Sequence, residues 1–593
     1  MEHSDAELHD PDEVEEEAEA AVEDEETDND YLLARDRSRR VIKPPQRLGY
    51  ADLIAYALIS ASEVLDEEPR DYKEVMRSRN KTEWLKAMDD EMKSLHDNHT
   101  WELIKKPAGA RLVSCKWIFK VKEGIEGVAS KRYKARLVAR GFTQKEGVDF
   151  NDVFSPVVKH RSIRMLLAMV AKFDLELEQM DVKTAFLYGD LDETILMRQP
   201  EGYVEKGKED YVCKLKGSLY GLKQSPRQWN RRFDKFMARI SFIRSQFDHC
   251  VYFRFRPGNS FVILLLYVDD IQIASNNVED VMRVKAELNK EFDMKDLGAA
   301  SRILEIDIRR DRKQSKLCLS QEAYLRKILE KFGMSNSKPV VTPTNPQFKL
   351  SIDQCPITDV KRAYMKGIPY ANIVGSLMYV MVCTRPDIAY GVSLVSRYMS
   401  NPGKAHWQAL KWILRYINGS LNRVLIYGGA LGEDSKAAIE GYVDSDYAGC
   451  MDSRKSISGY VFTMFGTAIS WKATLQKVVA LSTTEAEYIV LTEAVKEALW
   501  LEGFAKELKL QGRVITVKCD SQSAIHLSKN SAYHERTKHI DVRLHFVREI
   551  IVRGEVQMLK VSTDDNATDM ITKTLPSCKF FHCMQLIKLH EES

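Results

Sequence analysis

Apolar positions along the 593-residue chain change their period several times, and each change predicts a different kind of element. From Tyr72 through Trp84, Met88 and Met92 to Leu95 they recur at helical spacing. From Trp101 to about Thr342, short strand-like stretches mix with helical ones without a regular alternation, which predicts an α+β domain. Inside it, the unbroken run from Phe261 to Val268 predicts a buried strand. Pro339, Pro343 and Pro346 then break the chain, and residues 360–425 read as mostly helical. A final α/β unit begins near Ile439. Its pattern predicts strands near 439–443, 457–464 and 468–472, then a long amphipathic helix from about Thr483 to Leu508. A strand at Val514–Cys519, helices, a strand at Val556–Val561 and a short helix complete it. There is no internal repeat.

Charge sharpens the picture at the N-terminus. Residues 1–30 hold sixteen acids and no Lys or Arg, a like-charge run that predicts disorder. The remainder carries 70 acids against 88 bases, about +18, which suits a polyanionic partner. Arg35 to Arg47 is basic, contains Pro44-Pro45 and reads as a linker. Ten scattered cysteines form no C-x-x-C pair, arguing against a zinc site or a disulfide framework. The acidic start is not a signal sequence, and the longest apolar run is far too short for a bilayer. The expectation is a soluble, intracellular protein with no membrane partner.

Candidate chemistry begins where the apolar run meets Asp269-Asp270. The chain continues as Ile271-Gln272-Ile273-Ala274, so two acids interrupt an apolar hairpin. Adjacent carboxylates beside a buried strand are costly unless a cation neutralises them. Metal-dependent phosphoryl transfer uses hard oxygen ligands around two divalent ions. It needs a further acid from another strand, and Asp181 in Leu177-Glu-Gln-Met-Asp181 is the best candidate.

At this point Tyr267-Val-Asp-Asp270 resembles the polymerase motif of reverse transcriptases, with Asp181 in the matching first acidic motif. The resemblance implies that Asp181 and Asp269 hold both magnesium ions, assisted by Asp270 and by the backbone carbonyl of Val182. It implies that Phe186 is the bulky aromatic that blocks a ribose 2′-OH; a plain core aromatic is the alternative. Lys131-Arg-Tyr-Lys134-Ala-Arg136-Leu-Val-Ala-Arg140 resembles the fingers segment of copia-type enzymes. Arg136 is the first choice for the incoming triphosphate, because a guanidinium fork matches phosphate oxygens, and Lys134 is the second. Ser218-Leu-Tyr-Gly221-Leu-Lys-Gln224-Ser225-Pro226 resembles the second palm motif, which assigns Gly221, Gln224 and Ser225 to template and nucleotide positioning. Asp296-Leu-Gly298 and Ile303-Leu-Glu305-Ile306 resemble the primer-grip hairpin. Glu305 stands where the family usually carries Gly, and Gln272 replaces the usual apolar residue.

The C-terminal order of elements resembles the ribonuclease H fold, and acids fall at its expected corners. Asp444 ends the first strand, Glu485 and Glu487 open the long helix, Asp520 ends a later strand and Asp569 opens the last helix. Each alone is unremarkable, since acids are common at strand ends and helix N-termini. Together they imply two-metal hydrolysis of RNA in a hybrid by Asp444, Glu487, Asp520 and Asp569. Glu487 is preferred over Glu485 because Glu487, Val490 and Ala494 share a helical face. Asp446 is a secondary candidate. His539 matches a further motif, as a nucleic-acid contact, a helix-start residue or a structural partner of Asp541.

The resemblance covers nearly everything from about Arg35 to the C-terminus, including Gly375-Ser-Leu-Met-Tyr379 and Thr384-Arg-Pro-Asp387 of a connection region. It points to the reverse transcriptase and ribonuclease H part of a copia-type LTR retrotransposon polyprotein. The capsid, protease and integrase core are missing, so the chain is expected to derive from a longer element. The fold expected is an α+β right-hand polymerase, a helical connection and an α/β ribonuclease H-like domain. The divisions are 1–48 (tail and linker), 49–97 (helical lead-in), 98–342 (fingers, palm, thumb), 343–432 (connection) and 433–593 (ribonuclease H). The expected cofactor is Mg²⁺, two ions per active site, with Mn²⁺ as the substitute. Expected partners are an RNA template, a DNA primer, an RNA–DNA hybrid and dNTPs, with the oligomeric state open. The expected location is the cytoplasm, with virus-like particles and the nucleus as further places. A competing expectation is a catalytically impaired remnant or co-opted nucleic-acid-binding protein.

Overall fold

The computed structural model describes residues 68–122, 132–428, 439–510, 514–529 and 541–592. The acidic tail, the basic linker and His539 lie outside the described residues. The segment Tyr72–Leu95 forms two helices, Tyr72–Arg77 and Lys81–Asp97, the second burying Trp84, Met88 and Leu95 at the expected spacing.

The described strands form five sheets. Two are small: β1 (Trp101–Lys105), β6 (Tyr211–Leu215) and β5 (Leu196–Met197) in that order, and the pair β2 (Cys115–Lys122) and β3 (Arg132–Ala139). The largest is a six-stranded antiparallel sheet. Its members are β4 (Glu176–Val182), β7 (Ile243–Arg244), β8 (Val251–Phe255), β9 (Phe261–Tyr267), β10 (Asp270–Ser275) and β11 (Met294–Ala299), in the order β11-β4-β10-β9-β8-β7. The apolar run becomes β9 at the middle of this sheet because both of its faces are covered. Leu264 and Leu266 pack with Trp229, Phe233 and Phe292, while Ile263 and Leu265 belong to the core that also holds Met165 and Met169. Trp229 and Phe233 come from α2 (Ser225–Arg239), and the two methionines from α1 (His160–Lys172).

A second five-stranded sheet joins distant parts of the chain in the order β12-β13-β14-β15-β21. These are Arg302–Ile303, Ile306–Asp311, Lys316–Ser320, Arg423–Gly428 and Leu589–Glu591. It therefore unites strands that boundaries at 342 and 432 would separate, and one continuous core runs from Val158 to Leu589. Between them lie the helices Tyr370–Cys383, Ala389–Ser396 and Lys404–Asn418, so residues 360–425 are largely helical.

The last sheet contains β16 (Ile439–Ser445), β17 (Ile457–Met464), β18 (Thr467–Leu475), β19 (Ile515–Cys519) and β20 (Val556–Lys560), ordered β18-β17-β16-β19-β20. The first three pair antiparallel; β19 runs parallel to β16 and β20 parallel to β19. The long helix α3 (Thr483–Glu507) connects β18 to β19 and packs on β16. This is the order of elements anticipated for the C-terminal unit.

Candidate active sites

The first acid group is built by strand register. Asp270 lies opposite Asp181 across the β10–β4 ladder and opposite Tyr267 across the β9–β10 hairpin. That leaves Val268 and Asp269 as a two-residue turn. Val268 sits at φ 57°, costly for a β-branched residue by roughly 1–3 kcal/mol. Two hydrogen bonds hold the turn there. The Trp229 indole Nε1 donates to the Val268 carbonyl at 2.6 Å, and the Val182 N–H donates to the Asp269 carbonyl at 2.8 Å. The second bond docks the hairpin tip onto the end of β4, so Asp181 and Asp269 come into electrostatic contact. Burial pushes the Asp269 carboxyl above its ordinary range; Arg136 opposes this and the Asp181 charge adds to it.

Arg136 comes from β3, with one guanidinium nitrogen 3.9 Å from Asp269 and its Cζ 4.7 Å from the centre of the Tyr220 ring. Phe186 packs its ring 5.0 Å from the same tyrosine. Lys134 is on the same strand, opposite Lys120 of β2. The structure thus gathers Asp181, Asp269, Asp270, Val182, Arg136 and, through Tyr220, Phe186.

The other three candidates of this half have their described partners inside the protein. Gly221, at φ 88°, lies where a Cβ would come within 2.1 Å of the Ala139 carbonyl oxygen. The close approach here is that of β3. The Gln224 amide donates to the Asp149 carbonyl at 2.8 Å and the Glu193 carboxylate at 3.1 Å, and its oxygen accepts from Gln144. The Ser225 hydroxyl donates to the Leu219 carbonyl at 2.6 Å. These residues hold the loop that carries Tyr220 and the start of α2.

The second acid group is more deeply enclosed. Asp444 on β16, Asp569 at the start of the short helix Asp569–Thr572, and Glu487 are all buried. Parallel pairing of Val443 with Cys519 brings Asp520, just past β19, beside Asp444. The two candidate glutamates in the first turns of α3 separate cleanly. Glu485 accepts the Leu481 N–H at 2.6 Å while its own N–H donates to the hydroxyl of Ser482, the N-cap, so it is engaged in the start of the helix. Glu487 faces inward, accepting the Ser445 N–H at 3.2 Å with the Cys519 thiol 4.0 Å away.

Burial and the neighbouring Asp444 and Asp520 charges push Glu487 up to about 9. Asp444 is pushed up to about 6 by burial and by Asp569 and Asp520, against the pull of Lys573. Asp446 is likewise raised to about 6 by burial, while its carboxylate accepts the Ile457 N–H.

Two lysines and a threonine complete this group, and none was singled out from the sequence. Lys573 lies 3.3 Å from one Asp444 oxygen and 2.8 Å from one Asp569 oxygen; Lys579 lies 2.5 Å from the other Asp569 oxygen. The Thr572 hydroxyl donates to Asp444. The available signal was the i,i+4 spacing of Asp569 and Lys573.

Ligand atoms of Asp444, Asp520 and Asp569 lie within 4.8 Å of one another, as do those of Glu487, Cys519 and Asp520. The oxygen-rich trio suits a hard divalent cation. Among the described residues the first group forms no such trio. No described helix is long and apolar enough to cross a membrane.

Comparison with known proteins finds a family and several relatives. Residues 98–346 match the reverse transcriptase (RNA-dependent DNA polymerase) family model. The chain is 52% identical over 535 residues to the retrovirus-related Pol polyprotein from transposon TNT 1-94 of Nicotiana tabacum, covering 90% of this chain and 40% of that protein. It is 36% identical to the corresponding polyprotein from transposon RE1 of Arabidopsis thaliana, over 88% of this chain and 34% of that one. The chain thus spans well under half the length of these two relatives. A putative transposon Ty5-1 protein of Saccharomyces cerevisiae is matched over its full length, at 33% identity and over 54% of this chain. A solved foamy viral protease-reverse transcriptase in complex with double-stranded DNA aligns with TM-score 0.40 and 12% identity, over 81% of this chain and 83% of that one, too distant to carry an argument. By its sequence relatives, the chain belongs to the reverse transcriptase family of copia-type retrotransposon Pol polyproteins.

Proposed function

We propose that this chain is an RNA-directed DNA polymerase with ribonuclease H activity, copying retrotransposon RNA into DNA and degrading the copied RNA. The observation that carries the reading is the pair of acid groups on two separate sheets, each assembled from carboxylates far apart in sequence. In this reading residues 98–342 are fingers, palm and thumb, 343–432 the connection and 433–593 the ribonuclease H unit, with 1–97 as tail, linker and lead-in.

Asp181, Asp269 and Asp270, with the Val182 carbonyl, would hold two Mg²⁺ ions in the polymerase, and Asp444, Glu487, Asp520 and Asp569 two in the nuclease. Mn²⁺ would substitute. Such ions lower the pKa of a bound nucleophile and neutralise charge on the attacked phosphorus. The protein's own part follows from the geometry. Arg136, beside Asp269 and backed by Tyr220, is set to clamp the triphosphate of an incoming dNTP. Phe186 against Tyr220 walls the space a 2′-OH would need. Trp229 holds the Val268 carbonyl and so fixes the hairpin tip. The basic body of the chain suits an RNA template, a DNA primer and the hybrid they form. Its place of action would be the cytoplasm, including virus-like particles, and the nucleus.

A second reading, a catalytically impaired remnant, has specific support. Leu304 and Glu305 both take positive φ, 51° and 53°, in the two-residue turn between β12 and β13. Such a turn favours Gly or Asn. Gln272 is fully buried, and among the described residues neither of its amide atoms has a hydrogen-bond partner.

Primer extension on poly(rA)/oligo(dT) with magnesium separates the two readings. An active enzyme adds dNTPs, and Asp269→Asn abolishes the addition. A purified chain that adds none, whether or not it carries Asp269→Asn, is the remnant.

A further inference from the structure

The nuclease acids already hold a cation that belongs to the chain. Lys573 Nζ bridges Asp444, at 3.3 Å, and Asp569, at 2.8 Å, the two buried members of the oxygen trio. An ammonium shared by two carboxylates stands where a metal ion shared by them would stand. The two lysines are not equivalent. Lys579 touches only the other Asp569 oxygen and also donates to the Thr563 carbonyl at 2.6 Å, so it is tied to the scaffold. Lys573 follows directly on the short helix, and its side chain is 37% exposed, so it has a path out to solvent.

Charge explains why the chain carries it. Four carboxylates meet here, and buried like charges cannot all stay ionised without compensation. Thr572 supplies one hydrogen bond to Asp444, and Lys573 supplies the charge between Asp444 and Asp569.

We infer that Lys573 is a built-in competitor for the divalent ion: it occupies the Asp444–Asp569 position and must swing out when an ion binds there. The inference rests on the ribonuclease H reading of this group. It makes Lys573 a positioning residue that sets how much metal the nuclease needs.

Mn²⁺ binding read by electron paramagnetic resonance tests this on the full chain, with Asp181→Asn and Asp269→Asn removing the ions of the other group. Lys573→Met should bind Mn²⁺ about tenfold more tightly than the parent, and Lys573→Arg, which keeps the charge, within about twofold of it. A Lys573→Met chain that binds no more tightly overturns the inference. Absence of Mn²⁺ binding in every variant overturns the ribonuclease H reading as well. A second measurement needs no variant of Lys573. Amine-selective labelling, mapped by mass spectrometry, should find Lys573 several-fold more reactive when Mn²⁺ is added, with Lys579 unchanged. Equal reactivity with and without Mn²⁺ contradicts displacement.

Discussion

The two acid groups handle like charge in opposite ways. The first rides on a hairpin tip with half-buried carboxylates, an arginine 3.9 Å away and no convergence of three ligand atoms. The second is nearly sealed, draws its acids into two tight trios, sets resident lysines against Asp444 and Asp569, and holds the Asp444 and Glu487 carboxyls above their ordinary range. An open group can leave part of its charge to water and await a partner that brings both metal and phosphate. A sealed group cannot, and must carry its own counter-ions. The difference predicts that substitutions in the first group act on substrate handling, whereas those in the second also act on stability.

Outside the carboxylates themselves, the largest expected effect falls on the open group. Arg136→Ala should cut kcat/KM for dNTP incorporation by about tenfold to a hundredfold, since a charge-assisted clamp is lost. Hybrid cleavage should be unchanged. Steady-state primer extension at varied dNTP checks it, and an unaltered kcat/KM would remove Arg136 from the site.

Next is the buried amide of the same sheet. Gln272→Leu should stabilise the chain by about 1–3 kcal/mol, because two unpaired polar atoms beside Leu265 are replaced by apolar contact. Urea unfolding reads this, and destabilisation would mean that the amide has a partner in solution.

The sealed group should reveal itself through pH. Folded Glu487 stays protonated up to about 9, whereas the unfolded chain ionises it near 4.5. The folded state therefore binds the extra proton, and stability in chelator should fall as pH rises through that window. Glu487→Gln should flatten the fall and raise the melting temperature at pH 8 by a few degrees. A slope unchanged by the substitution would relocate the proton.

The smallest effect is local. Glu305→Gly should add about 0.5–1 kcal/mol by suiting a positive φ. Thermal unfolding decides it, and a loss of stability would show that the Glu305 side chain earns its place.

The parts legible in sequence are those whose signal is local. The run Phe261–Val268 announces β9 because a strand covered on both faces needs apolar residues at every position. The C-terminal unit is equally readable: its strands and long helix fall within a few residues of the pattern. The sheet that pairs Lys316–Ser320 with Arg423–Gly428, and the latter with Leu589–Glu591, is illegible. Each strand is short, and its partner lies far away in the chain. The same holds at the sites. Carboxylates stand out in apolar surroundings, whereas Lys573 among 88 basic residues does not. Gly221, Gln224 and Ser225 belong to a recognisable motif, yet only coordinates reveal that β3 and the Asp149–Glu193 region are what they touch.

A crossed pair of knockouts tests the two-centre account most directly. Primer extension and RNA–DNA hybrid cleavage are measured on one preparation each of Asp269→Asn and Asp520→Asn. The account predicts that Asp269→Asn lowers extension by at least roughly a hundredfold and spares cleavage, and that Asp520→Asn does the reverse. Loss of both activities from either single substitution, or of neither from both, would contradict it.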